Sequence, residues 1–266
     1  MLNSSSSNLV AAVTGATGAI GKAIAMQLAA KNIHVVLINR DPVKSNTAVQ
    51  DIIKTTGNNN VRYELADLSR HASIASLAAS WDGPLHILIN NAAISPPARN
   101  ETEDGIELQF ATNVLGYFWM TQNFSPILSK SSPSRIVNVS SYWAGGLDFT
   151  DLEFKKRKYH NHDAYRQSKQ ADRMLTAVFA TILESKNITV NACHPGDVNS
   201  ALSNSLGFGG SQTPDSGARN PAWLALSSRV QNITGKYFEN QIELTCPFGS
   251  DLVSSQRLFE ICQSYN

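Results

Sequence analysis

Tyr165-Arg166-Gln167-Ser168-Lys169 sets a phenol and an ammonium four residues apart. On a helix that gap puts both side chains on one face. A free tyrosine titrates at about pH 10 and is a poor base at neutral pH. A neighbouring ammonium favours the phenolate and lowers that value. Such a pair can hand a proton to a nascent alkoxide or take one from an alcohol. Taken alone, the same spacing also describes an ordinary exposed helix face.

A second cluster lies near the start of the chain. Thr14-Gly15-Ala16-Thr17-Gly18-Ala19-Ile20-Gly21 follows the apolar run Leu9 to Val13 and leads into Ile20, Ile24 and Leu28, which recur at helical spacing. Small residues between a strand and a helix let the backbone approach a pyrophosphate, where free N–H groups and the helix dipole favour an anion. The alternative for such a turn is tight packing. The next apolar run ends at Ile38-Asn39-Arg40. An acid is expected about here in folds that hold the ribose 2′-hydroxyl of NAD. Asn39 and Arg40 instead suit the 2′-phosphate of NADP(H), because the acid is missing and a guanidinium is present. Asp41 precedes Pro42 and is expected to cap the following helix. A plain surface arginine is the competing reading of Arg40.

These groups need elements to hold them. Leu9–Val13, Ile33–Ile38, Val61–Leu65, Leu85–Ile89, Arg135–Val139 and Ile188–Ala192 are short, apolar and largely β-branched or aliphatic. Longer stretches with helical periodicity separate them, among them Ala171, Leu175, Val178, Phe179 and Ile182. Buried strands alternating with helices imply βαβ units and a covered parallel sheet. The expected fold is α/β, a single-domain Rossmann-type doubly wound parallel sheet with helices on both faces, over residues 9–266. A Ser-rich flexible tail, 1–8, is expected ahead of it. Two segments break the rhythm: an insertion at about 142–162, and Ser200–Asn220, rich in Gly, Ser and Pro. Both are expected to border the active site. Gly207, Gly209, Gly210 and Gly217 would make the second a mobile substrate lid with Leu202, Leu206 and Phe208 as its apolar surface; Ala201, Leu202, Leu206, Phe208 and Trp223 suggest an apolar pocket, the alternative being plain packing.

Composition narrows the function classes. The chain has 266 residues, 42% hydrophobic and 16% charged, with net charge +1, which excludes a basic nucleic-acid-binding field. The one basic cluster, Lys155-Lys156-Arg157-Lys158, follows Asp148, Asp151 and Glu153 and reads as a solvated loop. Cys193, Cys246 and Cys262 form an odd set without metal spacing, so no metal site is expected and a reducing compartment is. No secretory signal and no membrane span are visible, and a cytoplasmic location is the expectation.

The motifs occur in an order that resembles the short-chain dehydrogenase/reductase family along nearly the whole chain. They are the Thr14–Gly21 turn, Ala66-Asp67-Leu68, Asn90-Asn91-Ala92-Ala93, Asn113, Ser140-Ser141, Tyr165 with Lys169, and Pro195-Gly196. The resemblance implies cofactor contacts from Gly15, Thr17, Gly18, Ala19, Ile20, Gly21, Arg40, Asp67, Leu68, Asn90, Ala92, Tyr165, Lys169, Pro195, Gly196 and Val198. It implies that Asn113 anchors a proton relay and that Ser141, with Ser140 as the fallback, orients the carbonyl oxygen. Ala19 stands where compact members carry glycine, and the spacing Gly15, Gly18, Gly21 is that of extended members; the length of the chain keeps the compact assignment. About two dozen residues separate Ser141 from Tyr165. With Arg40-Asp41 and Asn191-Ala192-Cys193-His194-Pro195-Gly196, that interval is similar to the retinol dehydrogenase-like and WW-domain oxidoreductase-like branch. His194 is expected to be a satisfied polar residue outside the relay. The function implied is an NADP(H)-dependent oxidoreductase acting on a small lipophilic carbonyl or alcohol, possible as a homo-oligomer. The competing reading is a catalytically silent dinucleotide sensor or scaffold.

Overall fold

A computed structural model describes residues 9–265; the expected tail at 1–8 lies outside them. Six parallel strands arise from the six apolar runs: β1 (Val10–Thr14), β2 (His34–Asn39), β3 (Val61–Leu65), β4 (Ile87–Asn90), β5 (Ser134–Val139) and β6 (Ile188–His194). Two short strands, β7 (Tyr237–Glu239) and β8 (Ile242–Leu244), extend the sheet, β8 antiparallel to β7. The order is β3-β2-β1-β4-β5-β6-β7-β8. The chain therefore reverses direction across the sheet between β1 and β4. Open α/β sheets bind ligands at such a switch point, beyond the carboxyl ends of the strands.

Alternation along each strand divides the core in two. Val35 and Leu37 of β2 face one layer, built by Ile24 and Leu28 of α1 (Ala19–Ala29), Ile52 of α2 (Pro42–Thr56) and Leu224 of α8 (Pro214–Leu226). Val36 and Ile38 face the other. That layer is built by Ile74 of α3 (His71–Ala79), Phe118 of α5 (Gly116–Lys130), Phe179 of α6 (Asn161–Leu183) and Phe259 of α10 (Leu252–Gln263). Phe118, Phe179 and Phe259 meet pairwise at 5.2–5.4 Å in tilted and edge-on arrangements, each worth about 0.5–1.5 kcal/mol beyond the area buried. The doubly wound sheet expected from the sequence is thus present, with helices on both faces.

The two irregular segments are more ordered than expected. Within 200–220, Ser200 and Ser203 form a reciprocal cap on the short helix α7 (Ala201–Ser205), and Thr213 with Pro214 starts α8. Gly217 is buried inside α8, where a side chain would collide with Val198. It allows close packing and adds no flexibility, so any lid is confined to the residues before 213. Trp223 packs on Phe238 and Ala201 is exposed, so neither lines a substrate pocket. In the 142–162 segment, the Asp151 carboxylate accepts the backbone N–H groups of Lys155, Lys156 and Arg157. Glu153 accepts the Glu107 N–H at 3.0 Å and the Tyr265 hydroxyl at 2.8 Å, while Leu152 and Phe154 are buried. This insertion is a strut, and it explains the basic run as the far side of a capped turn.

Candidate active site

The glycine turn is held by the ends of β1 and β4. Thr14 Oγ1 accepts the N–H groups of Asn91 (2.8 Å) and Ala92 (3.1 Å), and Asn91 Nδ2 donates to Thr14 O at 2.9 Å. Gly15 sits at φ +64°, and a Cβ there would lie 2.8 Å from the Ala92 Cα. Both facts require glycine. At Gly21 a side chain would collide with the Gly15 carbonyl and approach Asn91 Nδ2 to 2.6 Å. Gly18 caps α1 with backbone alone, so no side chain satisfies the first amides of the helix. Free amides, a helix dipole and a cradle with no Cβ are what a pyrophosphate needs, and Thr17, Ala19 and Ile20 stand around that end. These residues fit a dinucleotide.

Asn39 Oδ1 accepts the Thr17 N–H at 3.1 Å, so the residue in the expected acid position braces the turn. Arg40 is exposed and makes no ion pair among the described residues. Asp41 Oδ1 accepts from Val43 N and Lys44 N at 3.0 Å, the cap anticipated for α2. Asp67 turns its carboxylate to Ser69, and Leu68 is buried with its carbonyl against Gly116. Asn90 differs from expectation. Its side chain donates to Asn138 Oδ1 at 2.9 Å and to Thr121 Oγ1 at 3.3 Å beneath the sheet, so only its backbone is at the groove. Ala92 does face the turn.

A cavity of about 400 Å³ opens beyond the ends of β1, β5 and β6. Tyr165 and Ser141 line it, with Ile20, Pro195, Gly196 and Val198 on the dinucleotide side and Tyr142, Trp143, Leu202, Leu206 and Phe208 on the other. The Phe208 ring meets Trp143 edge-on at 4.6 Å, joining the α7 loop to the start of the insertion. Ser140 Oγ donates to the Lys169 carbonyl at 2.8 Å. Ser141 Oγ accepts the Trp143 N–H at 3.1 Å, and its own proton can serve Tyr165 or a ligand. Of the two serines, Ser141 is the one free to meet a ligand. Arg173 donates to the Ser141 carbonyl and stacks on Tyr237, 3.5 Å from its ring centre.

Lys169 is wholly buried. Its Nζ donates to Val139 O at 3.1 Å and to Asp172 Oδ2 at 2.8 Å. Asp172 holds the ammonium charged well above its ordinary range, against the opposing effect of burial. Burial raises the Asp172 carboxyl to about 6 despite the attraction of Lys169. Burial also raises Tyr165 above its usual value, with Lys169 and Ser141 pulling it down and Asp172 up. The expectation of a lowered tyrosine is therefore reversed in the free protein: desolvation outweighs an ammonium whose charge Asp172 partly offsets. Asn113 lies in a π-turn (Ala111–Leu115) between α4 (Leu108–Phe110) and α5. Its side chain bonds both polar groups of Ile94 and the Ser168 hydroxyl at 3.2 Å. It touches neither Tyr165 nor Lys169 directly.

His194 is not the satisfied residue expected. It lines the cavity, its Nδ1 is buried without a partner, and burial lowers its pKa. Sequence reasoning missed Asp172 and Arg173. Asp172 stands three residues after Lys169 and seven after Tyr165, a spacing that places all three on one helical face.

Fold and cavity together define a class, an α/β protein whose glycine turn suits a dinucleotide and whose cavity is lined by Tyr165 and Ser141. A short chain dehydrogenase family model matches residues 9–207. The chain belongs to the short-chain dehydrogenase/reductase family, and is an oxidoreductase acting on alcohol or carbonyl groups with a nicotinamide dinucleotide. It is 36% identical to retinol dehydrogenase 13 of Mus musculus, over 85% of this chain and 74% of that one. It is 35% identical to a Streptomyces antibioticus protein described as a probable oxidoreductase, over 88% and 85% of the two chains. A solved structure of an uncharacterised Mycobacterium paratuberculosis protein superposes with a TM-score of 0.80 at 25% identity, covering 97% of this chain and 94% of that one. Among the described residues, no helix is long and apolar enough to cross a membrane, and no group of three or more His, Cys, Asp or Glu could hold a metal ion.

Proposed function

We propose that this chain is an NADP(H)-dependent oxidoreductase that interconverts a carbonyl and an alcohol on a lipophilic small molecule, with Tyr165 as general acid/base. The observation that carries the reading is Tyr165 beside Ser141 on the cavity wall, with the charged Lys169 buried behind it. The bound nicotinamide supplies or accepts hydride. Ser141, through its hydroxyl proton, orients the carbonyl oxygen. Tyr165 delivers a proton to that oxygen in reduction and removes it in oxidation, and Lys169 supplies the positive charge that stabilises the phenolate. A tyrosine raised by burial keeps its proton at neutral pH, the state that carbonyl reduction requires. Asn113 acts behind these groups, by fixing Ile94 and Ser168 at the start of α6. Asp67, Leu68, Asn90 and Ala92 shape the groove through backbone and packing.

Trp143, Leu202, Leu206 and Phe208 make one wall apolar, in keeping with relatives named for retinol, a lipophilic alcohol. The buried free thiols Cys193 and Cys262 fit a reducing compartment such as the cytoplasm.

The test is Tyr165→Phe, measured as NADPH consumption across a panel of aldehydes and ketones. Turnover should fall about 100-fold or more, with NADPH affinity nearly unchanged. Wild-type turnover in the variant removes Tyr165 from the mechanism. A folded wild-type protein that binds NADPH and turns over none of the panel favours the sensor reading.

A further inference from the structure

Asp172 and Lys169 form an ion pair with 0% and 2% of their side chains exposed. Sequestering two charges is costly, and surface pairs of this spacing on helices are common without consequence. This one is placed where its geometry matters. The Lys169 ammonium has three protons. One goes to Val139 O, at the carboxyl end of β5, which also accepts the Tyr117 hydroxyl at 3.2 Å. One goes to Asp172. The third remains, with the Tyr165 ring centre 5.9 Å and the Tyr117 ring centre 4.9 Å from Nζ. Asp172 Oδ1 is buried without a partner, so nothing but Lys169 fixes the carboxylate, and the two depend on each other.

We propose that Asp172 is a positioning residue for the reaction: it fixes the Lys169 ammonium in the direction of Tyr165 and offsets part of the positive charge that the phenol experiences. The inference rests on the assignment of Tyr165 as general acid/base. The groups that face this pair are few. Tyr117 faces it from α5, Tyr165 and Arg173 from α6, Cys193 from β6 and Cys262 from α10. Only Lys169 and Arg173 bring positive charge, and Arg173 is committed to Ser141 and Tyr237. Val139 O still holds the ammonium and a phenolate at Tyr165 would itself favour the charged lysine, so removing the carboxylate charge leaves Lys169 as the uncompensated charge facing Tyr165, and the phenolate becomes easier to form. The alcohol-oxidation profile should move to lower pH, because its acidic limb follows loss of the Tyr165 proton.

The experiment compares wild type, Asp172→Asn and Asp172→Glu, each verified as folded by thermal unfolding. Two readouts are taken. Tyr165 is titrated in cofactor-free protein by ultraviolet phenolate absorbance, as the difference from the same protein carrying Tyr165→Phe. The pH profile of kcat/KM for alcohol oxidation is measured beside it. Asp172→Asn should lower both the phenol titration and the acidic limb by about one pH unit, while Asp172→Glu, which keeps the charge, should stay near wild type. An Asn variant with an unmoved or raised titration overturns the proposal. So does a Glu variant that titrates well below wild type, which is decisive even if the Asn protein does not fold. If Tyr165→Phe keeps full turnover, the catalytic assignment fails and takes this inference with it. If Tyr165→Phe is inactive and the Asn profile is unmoved, only the role of Asp172 is lost.

Discussion

Replacing Arg40 with serine isolates the charge on which the proposed NADP(H) preference rests. The end of β2 carries three candidate polar groups. Asn39 is neutral and its carbonyl is bonded to Thr17. The Asp41 carboxylate is held by the first amides of α2, with Lys44 Nζ 3.8 Å away, so part of its repulsion toward a phosphate is cancelled. Arg40 alone is exposed and without an ion-pair partner among the described residues, and so gives up no existing bond to meet a ligand. A charge-assisted hydrogen bond contributes about 1.5–3 kcal/mol. Exposure to solvent reduces that to about 1–2 kcal/mol, or about 5- to 30-fold in Kd. Dissociation constants for NADPH and NADH, measured at low and high salt for wild type and Arg40→Ser, test the estimate. NADPH should weaken by that factor and lose much of its salt dependence, while NADH should hardly move. Equal wild-type affinities, or a variant that weakens both cofactors alike, would refute the argument.

Three further outcomes follow from the geometry. Gly21→Ala forces a methyl against the Gly15 carbonyl and should cost about 1–3 kcal/mol in urea unfolding. Gly18→Ala, at an exposed helix cap, should cost under about 1 kcal/mol, and the reverse order would show that the turn is not packed as described. His34, His86 and His194 all have pKa values lowered by burial, so each is protonated first in the unfolded chain. The stability they add is complete above pH 6.5 and is lost as pH falls through their lowered values. His86 Nδ1 accepts the Val10 N–H; His86→Asn keeps an acceptor and removes a titration, so melting temperature should depend less steeply on pH below 6.5, and an unchanged slope counts against it. Hydrogen exchange should be fast at residues 206–210 and slow through α8, with protection gained only at 206–210 when cofactor and a substrate analogue bind. Protection that does not change there would mean that Phe208 and Trp143 close the cavity permanently.

The strands that position the site were legible because burial on both faces leaves unbroken apolar runs, as in Ile87-Leu88-Ile89. β7 and β8 were not, since three residues are too few to display a period, and β8 is exposed throughout. Asn90 shows how a motif can mislead where periodicity would not. Ile87 and Ile89 face one layer and Leu88 the other, so alternation alone sends the Asn90 side chain beneath the sheet toward Asn138. The motif correctly marked the end of β4, and the pleat decided which of Asn90 and Asn91 could reach the turn. Gly217 failed for the opposite reason: a glycine in a Gly-rich stretch looks flexible, and only its contact with Val198 reveals a packing role.

Asp172 was hidden by a different ambiguity. An acid three residues after a lysine reads as a solvated pair on a helix surface, which is what most such pairs are. What distinguishes α6 is that burial extends nearly around it, from Ala164 through Phe179. Its polar face does not meet water; it meets the ends of β5 and β6 and the hydroxyl of Tyr117. Every charge on that face must then be paired within the protein, and Asp172 and Arg173 supply those pairings for Lys169 and Ser141. A helix clamped between the sheet and α10 holds Tyr165 and Lys169 in fixed relation, as the proposed general acid/base chemistry requires. The opposite wall, built on the α7 loop and Phe208, carries fewer constraints, and it is there that the shape of a substrate can vary without disturbing the proposed proton-transfer groups.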